Sequence, residues 1–322
     1  MAGVRFSVVI PVFNEEEVLP ETYRRLTGVM GGLSEPYELI FVNDGSRDRS
    51  PEILDDLARK DPRVRVIHFS RNFGHQAAIT AGMDYARGEA VIVIDADLQD
   101  PPEVIPEMVA KWREGYEVVY GKRAKREGET FFKRFTASFF YRLLRAVTDI
   151  DIPLDTGDFR LMDRKVVEVM RLLREKNRFI RGLVAWVGFR QAALEYVRHR
   201  RFAGTTKYPL RKMLKLAWDG ITAFSNKPLK VAAYLGFALS FLSFVYLLVI
   251  VVAKLLGKST VPGWASLAVI NLFFSGVILI ILGIMGEYIG RIYDEAKNRP
   301  LYVVDRTRGF DKTHEEPPRD SC

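Results

Sequence analysis

The stretch Val91–Glu103, VIVIDADLQDPPE, decides how the rest of the chain is read. Val91 to Ile94 is a short run of Val and Ile, which suits a strand buried on both faces of a sheet. Asp95 and Asp97 follow at once. Residues two apart share one side of an extended chain, so both carboxylates leave the strand's C-terminal end together. Open α/β sheets bind their ligands at that end. Carboxylates there suit a hard divalent cation carrying substrate phosphates, and Gln99 adds a neutral oxygen ligand two residues on. An EF-hand loop does not fit, because its glycine is missing and Pro101-Pro102 stands where a calcium loop must bend. A bare Asp-x-Asp is also compatible with a polar turn before a helix starting near Pro102, so the neighbouring segments have to decide.

Upstream and downstream, Phe6 to Phe13, Glu38 to Val42, Val64 to Phe69 and Glu117 to Tyr120 are further strand candidates rich in Val, Ile and Phe. Helical stretches fall between them near Glu15–Val29, Ser50–Lys60, Gln76–Ala86 and Glu103–Arg113. Alternation of this kind predicts an α/β fold with a mostly parallel sheet flanked by helices. No G-x-G-x-x-G follows the first strand, which argues against a dinucleotide-binding Rossmann enzyme. Two more polar strand ends join the first: Pro11-Val12-Phe13-Asn14-Glu15, and Asn43-Asp44-Gly45-Ser46. Asp44 alone fits an Asp–Gly turn as well as a contact to a base or ribose. Three polar ends on one rim favour a nucleotide-sugar site.

The second decisive feature lies near the C-terminus. Val231 to Ala253 carries no charge, with Lys254 just beyond it, and Trp264 to Met285 carries none. Each is long enough to cross a hydrocarbon core of about 30 Å at ~1.5 Å per residue. A short loop, Leu255 to Gly263, joins them into a predicted transmembrane hairpin. Lys207, Arg211, Lys212, Lys215, Lys227 and Lys230 precede it and Arg291, Lys297 and Arg299 follow, against Lys254 and Lys258 near the loop. The positive-inside bias puts the large N-terminal part and both termini in the cytoplasm of a multi-pass plasma (inner) membrane protein.

Phe131 to Val147 and Tyr208 to Phe224 are both basic and amphipathic, with apolar residues every three or four positions. They suit either ordinary packing or the membrane interface. The expected organisation is therefore a catalytic domain over 1–205, an amphipathic juxtamembrane helix over 206–228, two transmembrane helices over 229–290 and a cytoplasmic tail over 291–322. Gly276, Gly283 and Gly290 recur every seven residues, and Gly286 to Gly290 forms a small-xxx-small pair. Such residues let helices approach closely. They suit packing of the hairpin on itself and equally a homo-oligomer, up to a tetramer.

The 322 residues hold 48 Lys and Arg against 40 Asp and Glu, a formal charge of +8. That suits anionic lipid or phosphorylated ligands. Nucleic acid would fit the charge too, but the basic residues gather beside the membrane segments, so no nucleic-acid partner is expected. The one cysteine, Cys322, excludes a disulfide framework and a thiolate metal site. The N-terminus does not resemble a signal peptide: Pro11 interrupts its short apolar run and Asn14-Glu15-Glu16-Glu17 follows. From Asp311 on, the tail is polar with Pro317-Pro318 and suits a disordered end.

PVFNEEE (11–17), VNDGSRD (42–48), DADLQDPPE (95–103), DTGDFRLMD (155–163) and RFAGTTKY (201–208) resemble the inverting glycosyltransferases of family 2 with a GT-A fold. Within it the chain is similar to the polyprenyl-phosphate glycosyltransferases, a group including dolichol-phosphate mannose synthases and bactoprenol glucosyltransferases. GEYIGRIYDEAKNRPLYVV (286–304) is most similar to the latter. The resemblance covers the chain to about Phe310.

It implies a metal-dependent enzyme moving a sugar, foremost glucose from UDP-glucose, to undecaprenyl phosphate. Mannose from GDP-mannose onto dolichyl or polyprenyl phosphate, or an aminoarabinose derivative from its UDP donor, is the same chemistry with another sugar. A non-catalytic lipid-carrier-binding partner would have no need of metal ligands. The residues can be given roles on this basis. Asp95, Asp97 and Gln99 would hold Mg²⁺ or Mn²⁺ on the donor diphosphate. Lys207, with Arg201 beside it, would close over the same diphosphate. Asp44 would read the base, and Pro11, Val12, Asn14 and Glu15 would line its pocket. Arg123, Arg134 and Ser138 match positions that hold the lipid phosphate. Asp158 stands where relatives acting on hydroxyls keep their base. A lipid monophosphate has a second pKa of about 6 and is already nucleophilic at neutral pH, so here Asp158 is expected to orient rather than deprotonate.

Overall fold

The computed structural model describes residues 3–125, 156–197, 227–256 and 263–310. The expected amphipathic helices at 131–147 and 208–224, and with them Arg134, Ser138, Arg201 and Lys207, lie outside the described residues, as do the middle of the hairpin loop and the tail from 311.

The centre of the fold is an eight-stranded sheet. Its strands are β1 (Phe6–Val12), β2 (Tyr37–Asn43), β3 (Val64–Phe69), β4 (Ala90–Val93), β5 (Val118–Lys125), β6 (Thr156–Asp163), β7 (Gln191–Val197) and β8 (Val304–Arg308), in the order β7-β5-β6-β4-β1-β2-β3-β8. β4, β1, β2 and β3 are mutually parallel. β6 is inserted antiparallel between β4 and β5, β7 runs parallel to β5, and β8 is antiparallel to β3. The sheet is thus mixed and mostly parallel, as expected.

Residues of β1 alternate between two cores. Phe6, Val8 and Ile10 pack with α1 (Leu19–Gly32), α2 (Ser50–Lys60) and α4 (Ile105–Arg113) on one face. Val9, with Ile40 and Ile67 of its neighbours, packs under α3 (His75–Tyr85), α5 (Arg164–Leu172) and α6 (Ile180–Trp186) on the other. Burying each such Ile, Leu or Phe side chain contributes about 1.5–3 kcal/mol, which is why the strands read as unbroken apolar runs and not as alternating ones.

The boundaries differ from the sequence expectation in instructive places. The first helix starts at Leu19 and not near Glu15. Residues 14–18 form a rim loop instead, because Asn14 takes a left-handed φ of 56° and its neighbours' amides are captured by the β2–α2 loop. Strands β6, β7 and β8 were not expected. β6 carries Asp158 and Arg160 in its buried interior, and those charges disguise a strand. β8 is short and largely charged, as suits an edge strand.

Two long helices follow the sheet among the described residues, α7 (Lys227–Leu255) and α8 (Trp264–Ala296). Both are long and apolar enough to cross a membrane, and almost nothing of their apolar windows is buried. α8 continues eleven residues past the apolar run ending at Met285. Its polar end is held by an Arg291–Glu287 ion pair at 2.9 Å. The chain then returns to the sheet. The backbone amide of Lys176 donates to Glu295 (2.7 Å), the Tyr302 ring stacks on Phe69 at 5.1 Å, and its hydroxyl donates to Asp84 (2.8 Å) before β8 pairs with β3. The C-terminal end of α8 is therefore anchored directly to the domain that bears the rim.

Candidate active site

The C-terminal ends of β1, β2 and β4 form the rim foreseen from the sequence, and each end is built differently. At β2, Asp44 is 3% exposed. Its carboxylate accepts from the Phe73 amide (2.7 Å), the Gly74 amide (3.0 Å) and Asn72 Nδ2 (2.9 Å). Gly45 makes this possible. Its φ is +66°, and a Cβ there would lie 2.5 Å from the Arg71 carbonyl carbon and the Asn72 nitrogen. Burial pushes the Asp44 carboxyl above its usual range, and the amide hydrogen bonds oppose that.

At β1, Pro11 and Val12 are buried. The Asn14 amide donates to Ser46 Oγ (3.0 Å), Asn14 Oδ1 accepts from the Arg47 amide (2.8 Å), and the Glu15 amide donates to Ser50 Oγ (3.0 Å). These bonds lace the β1–α1 and β2–α2 loops together. Between them lies a cleft of about 440 Å³ lined by Asn14 to Val18, Arg47 and Asp48. The carboxylates at the β4 end do not line it.

The register of β6 against β4 determines what meets at the third end. Val93 pairs with Arg160, so two residues further along each strand stand Asp95 and Asp158. His75, the first residue of α3, lies between them, with Nε2 3.5 Å from Asp95 Oδ1 and 3.2 Å from Asp158 Oδ2. Arg181 of α6 closes the cluster with a two-point contact to Asp158, Nε to Oδ1 at 2.9 Å and Nη2 to Oδ2 at 3.0 Å. Gln76 ties α3 to α6 by accepting from the Ile180 amide (2.9 Å). Asp97 Oδ1 accepts from the Gln99 amide (3.1 Å) across Leu98, whose φ is +57°, and this bond folds the loop after β4 back on itself.

The charges sort themselves by partner. Burial would raise the Asp158 carboxyl, but the Arg181 charge and the hydrogen bonds from His75 and Arg181 hold it well below the usual carboxylate range. Burial works against an imidazolium at His75, yet Asp95 and Asp158 push its pKa up to about 9. The ring keeps 43% of its surface open, so solvent screens part of that attraction. Asp95 goes the other way. Burial, together with the negative charges of Asp158, Asp100 and Asp97, outweighs His75 and lifts it to about 6. Apart from the long His75 contact, its Oδ1 has no hydrogen-bond partner among the described residues. A carboxylate oxygen with only that long contact, pressed by three other carboxylates, fits a divalent cation. Among the described residues no three His, Cys, Asp or Glu side chains form a ready cage.

Arg123, at the end of β5, lies against the backbone of Gly157, and its buried Nε has no hydrogen-bond partner among the described residues. His75, Arg181, Asp100 and Tyr196 were not singled out from the sequence. His75 had a usable signal, since Phe73-Gly74-His75 follows the third strand on the same rim. Arg181 had none, because only the packing of α6 against β6 brings it to Asp158.

An α/β sheet with carboxylates converging at its C-terminal rim, joined to an apolar two-helix hairpin, defines the class: a GT-A domain with a hairpin appended. The chain matches the family description glycosyl transferase family 2 over residues 7–171 and the GtrB C-terminal hairpin over 227–292. It belongs to glycosyltransferase family 2. It is 64% identical over 308 residues to the uncharacterized glycosyltransferase YkcC of Bacillus subtilis, covering 96% of this chain and 95% of that one. It is 44% identical to the SfII prophage-derived bactoprenol glucosyl transferase of Shigella flexneri, covering 94% and 98%. Among solved structures, glucosyl-3-phosphoglycerate synthase from Mycobacterium tuberculosis, with Mn²⁺, UDP-glucose and phosphoglyceric acid, is 22% identical with a TM-score of 0.44, over 69% and 78% of the two chains.

Proposed function

We propose that the protein transfers a sugar with inversion, foremost glucose from UDP-glucose, to undecaprenyl phosphate, at the cytoplasmic face of the plasma membrane. The observation that carries this reading is the state of Asp158. A carboxylate gripped at two points by Arg181 and again by His75 is a poor base. It suits an acceptor that needs none, and a phosphate monoester is such an acceptor. The bactoprenol glucosyl transferase relatives, matched over nearly their full length, support the lipid carrier and the sugar.

In this reading Asp95 and Asp97, with Gln99, hold Mg²⁺ or Mn²⁺. The ion supplies Lewis-acid stabilisation of the leaving diphosphate. Asp44 and residues 11–15 form the nucleoside pocket, and Lys207 and Arg201 cover the diphosphate. Arg123, Arg134 and Ser138 hold the lipid phosphate in line with the anomeric carbon, which is where most of the barrier reduction has to come from. Asp158 orients the sugar. Residues 1–205 form the catalytic domain, 206–228 lie at the membrane surface, 229–290 span it, and 291–322 return to the cytoplasm. Return of the chain from α8 to strand β3 supports that topology. The homo-oligomer is part of the same proposal.

The test is a screen of radiolabelled UDP-glucose, GDP-mannose and UDP-aminoarabinose derivatives with undecaprenyl phosphate, following counts into the lipid phase. Transfer from UDP-glucose is expected, and transfer from another donor alone would replace the sugar. For topology, Ser259→Cys should react with a membrane-impermeant label on intact cells and Arg306→Cys should not.

A further inference from the structure

The loop that carries the metal motif does not end at Gln99. Asp100 is 1% exposed and points back into the fold, where Tyr196 Oη donates a short hydrogen bond to its Oδ1. Tyr196 comes from β7, the outermost strand on that side, and is the register partner of Arg123 on β5. Its ring is fixed from two directions. It meets Phe159 edge-on at 5.8 Å and 90°, and it lies over Gly121, where a Cβ would come within 2.7 Å of Cε1. The second oxygen of Asp100 faces Gly157. A Cβ built on Gly157 would lie 3.7 Å from Asp100 Oδ2 and 2.7 Å from Arg123 Nη2. The guanidinium and the carboxylate thus converge on one bare stretch of backbone, beside Asp158.

We propose that Asp100, pinned by Tyr196, is a positioning residue that seats the Arg123 guanidinium against Gly157 and so joins the donor-side loop to the cation that receives the acceptor phosphate. The inference rests on the reading of Arg123 as a lipid-phosphate contact. A planar guanidinium is useful to a phosphate only when its plane is held, because two-point binding depends on the direction of its N–H groups. Arg123 arrives on a strand whose pairing is irregular at that point, with register shifts on both sides of Lys122 and Arg123. The backbone alone therefore does not aim it. Asp100, Tyr196 and the missing side chain at 157 do. The buried Arg123 Nε, without a hydrogen-bond partner among the described residues, then remains for an anion's oxygen. Burial and the Asp100 charge push the Tyr196 phenol upward, outweighing the Arg123 guanidinium that also meets its hydroxyl, so it stays protonated across the working range. Because Asp97 and Asp100 are three residues apart on one loop, an ion drawn onto Asp97 and a phosphate drawn onto Arg123 are held in fixed relation, as in-line transfer requires.

Three variants test this in the full-length protein in detergent–lipid micelles: Tyr196→Phe, Asp100→Asn and Gly157→Ala, which intrudes on Arg123 but meets Asp100 only at ordinary contact distance. Each should raise the KM for farnesyl phosphate, used as a short polyprenyl phosphate, by about ten- to a hundredfold, the usual effect of misaligning one charge-assisted contact. UDP binding by calorimetry should stay within about twofold. Tyr196→Phe combined with Arg123→Ala should be no worse than Arg123→Ala alone, because the phenol then has nothing left to aim. Additive losses, or UDP affinity falling in step with the farnesyl phosphate KM, would mean that the cluster merely supports the fold, and the proposal would be overturned. A wild type that transfers sugar while all three variants keep its farnesyl phosphate KM would overturn the proposal alone. A wild type that binds UDP yet transfers to no polyprenyl phosphate would overturn the reading beneath it as well.

Discussion

The ends of β2 and β4 are both strand ends with an aspartate and a histidine close by, and they are built to opposite purposes. At β2 every group is spoken for. Asp44 holds the 72–74 loop, Asn43 Oδ1 accepts from the Ser46 amide, and His68 sits between Asn43 and Asp55 at 3.0 and 3.1 Å. Burial and the nearby Arg306 charge push His68 down, so it stays neutral. At β4 the account is left open. Asp95 has an oxygen with no hydrogen bond among the described residues, its carboxyl is pushed up to about 6, and His75 is held as a cation between two carboxylates. A satisfied end shapes the rim. An end with surplus negative charge awaits a ligand.

The largest expected difference between the two ends comes from replacing their carboxylates. Asp97→Asn should leave the melting temperature within a few degrees while removing transfer by at least about a hundredfold, roughly 2.7 kcal/mol or more. Chelation of wild type with EDTA should give the same loss, reversed by Mg²⁺ or Mn²⁺. Undiminished transfer in EDTA would erase the contrast. Calorimetric Mn²⁺ binding to wild type and variant reads the site without turnover.

Arg181→Ala should cost somewhat less in transfer but more in stability. It strips Asp158 of its main partner and leaves a carboxylate of 4% exposure underpaired. Breaking a buried pair costs about 3–5 kcal/mol, to be discounted here because Arg181 is 27% exposed. Arg181→Lys should recover part of it, one contact in place of two. Stability unchanged by Arg181→Ala would mean that the Arg181 contact does not hold the Asp158 carboxylate, which would then be free to act as a base, against the proposed reaction.

Asp44→Asn is the mirror of Asp97→Asn. An amide in that place turns an N–H toward the Phe73 or Gly74 amide, and about 1–3 kcal/mol of folding stability should go with it. Thermal denaturation should show that loss, with UDP affinity falling in the same variant if Asp44 also reads the base.

The smallest effect concerns His68. Its folded pKa lies below its unfolded value, so the unfolded chain binds the extra proton first and stability falls as pH drops below about 6.5. Thermal scans of wild type between about pH 7 and 5 should slope downward, and His68→Gln should flatten that slope. An equal slope in both would place the acid sensitivity elsewhere.

Some of this was open to a reader of the chain alone. VIVIDAD, VFNEEE and VNDG announce three strand ends on one rim, because unbroken Val and Ile runs have no use for solvent and the polar residues that stop them must lie where the strands stop. The apolar hairpin is equally plain, since uncharged stretches of that length suit hydrocarbon. What stayed hidden needed distant partners. β6 reads poorly as a strand because Asp158 and Arg160 interrupt it, and their burial is tolerable only once Arg181 and the Gly157 carbonyl are in place. β8 is mostly charged, and only its pairing with β3 makes it a strand.

The sequence by itself determined the parallel sheet, the rim and the hairpin, because periodicity and hydrophobic burial are local properties of a chain. Only the tertiary structure decided that Asp95 faces Asp158, that His75 and Arg181 share them, and that Asp100 and Tyr196 flank Arg123. Those are electrostatic relations between residues some twenty to a hundred positions apart, and the energy of a charge depends on which other charges the fold brings beside it.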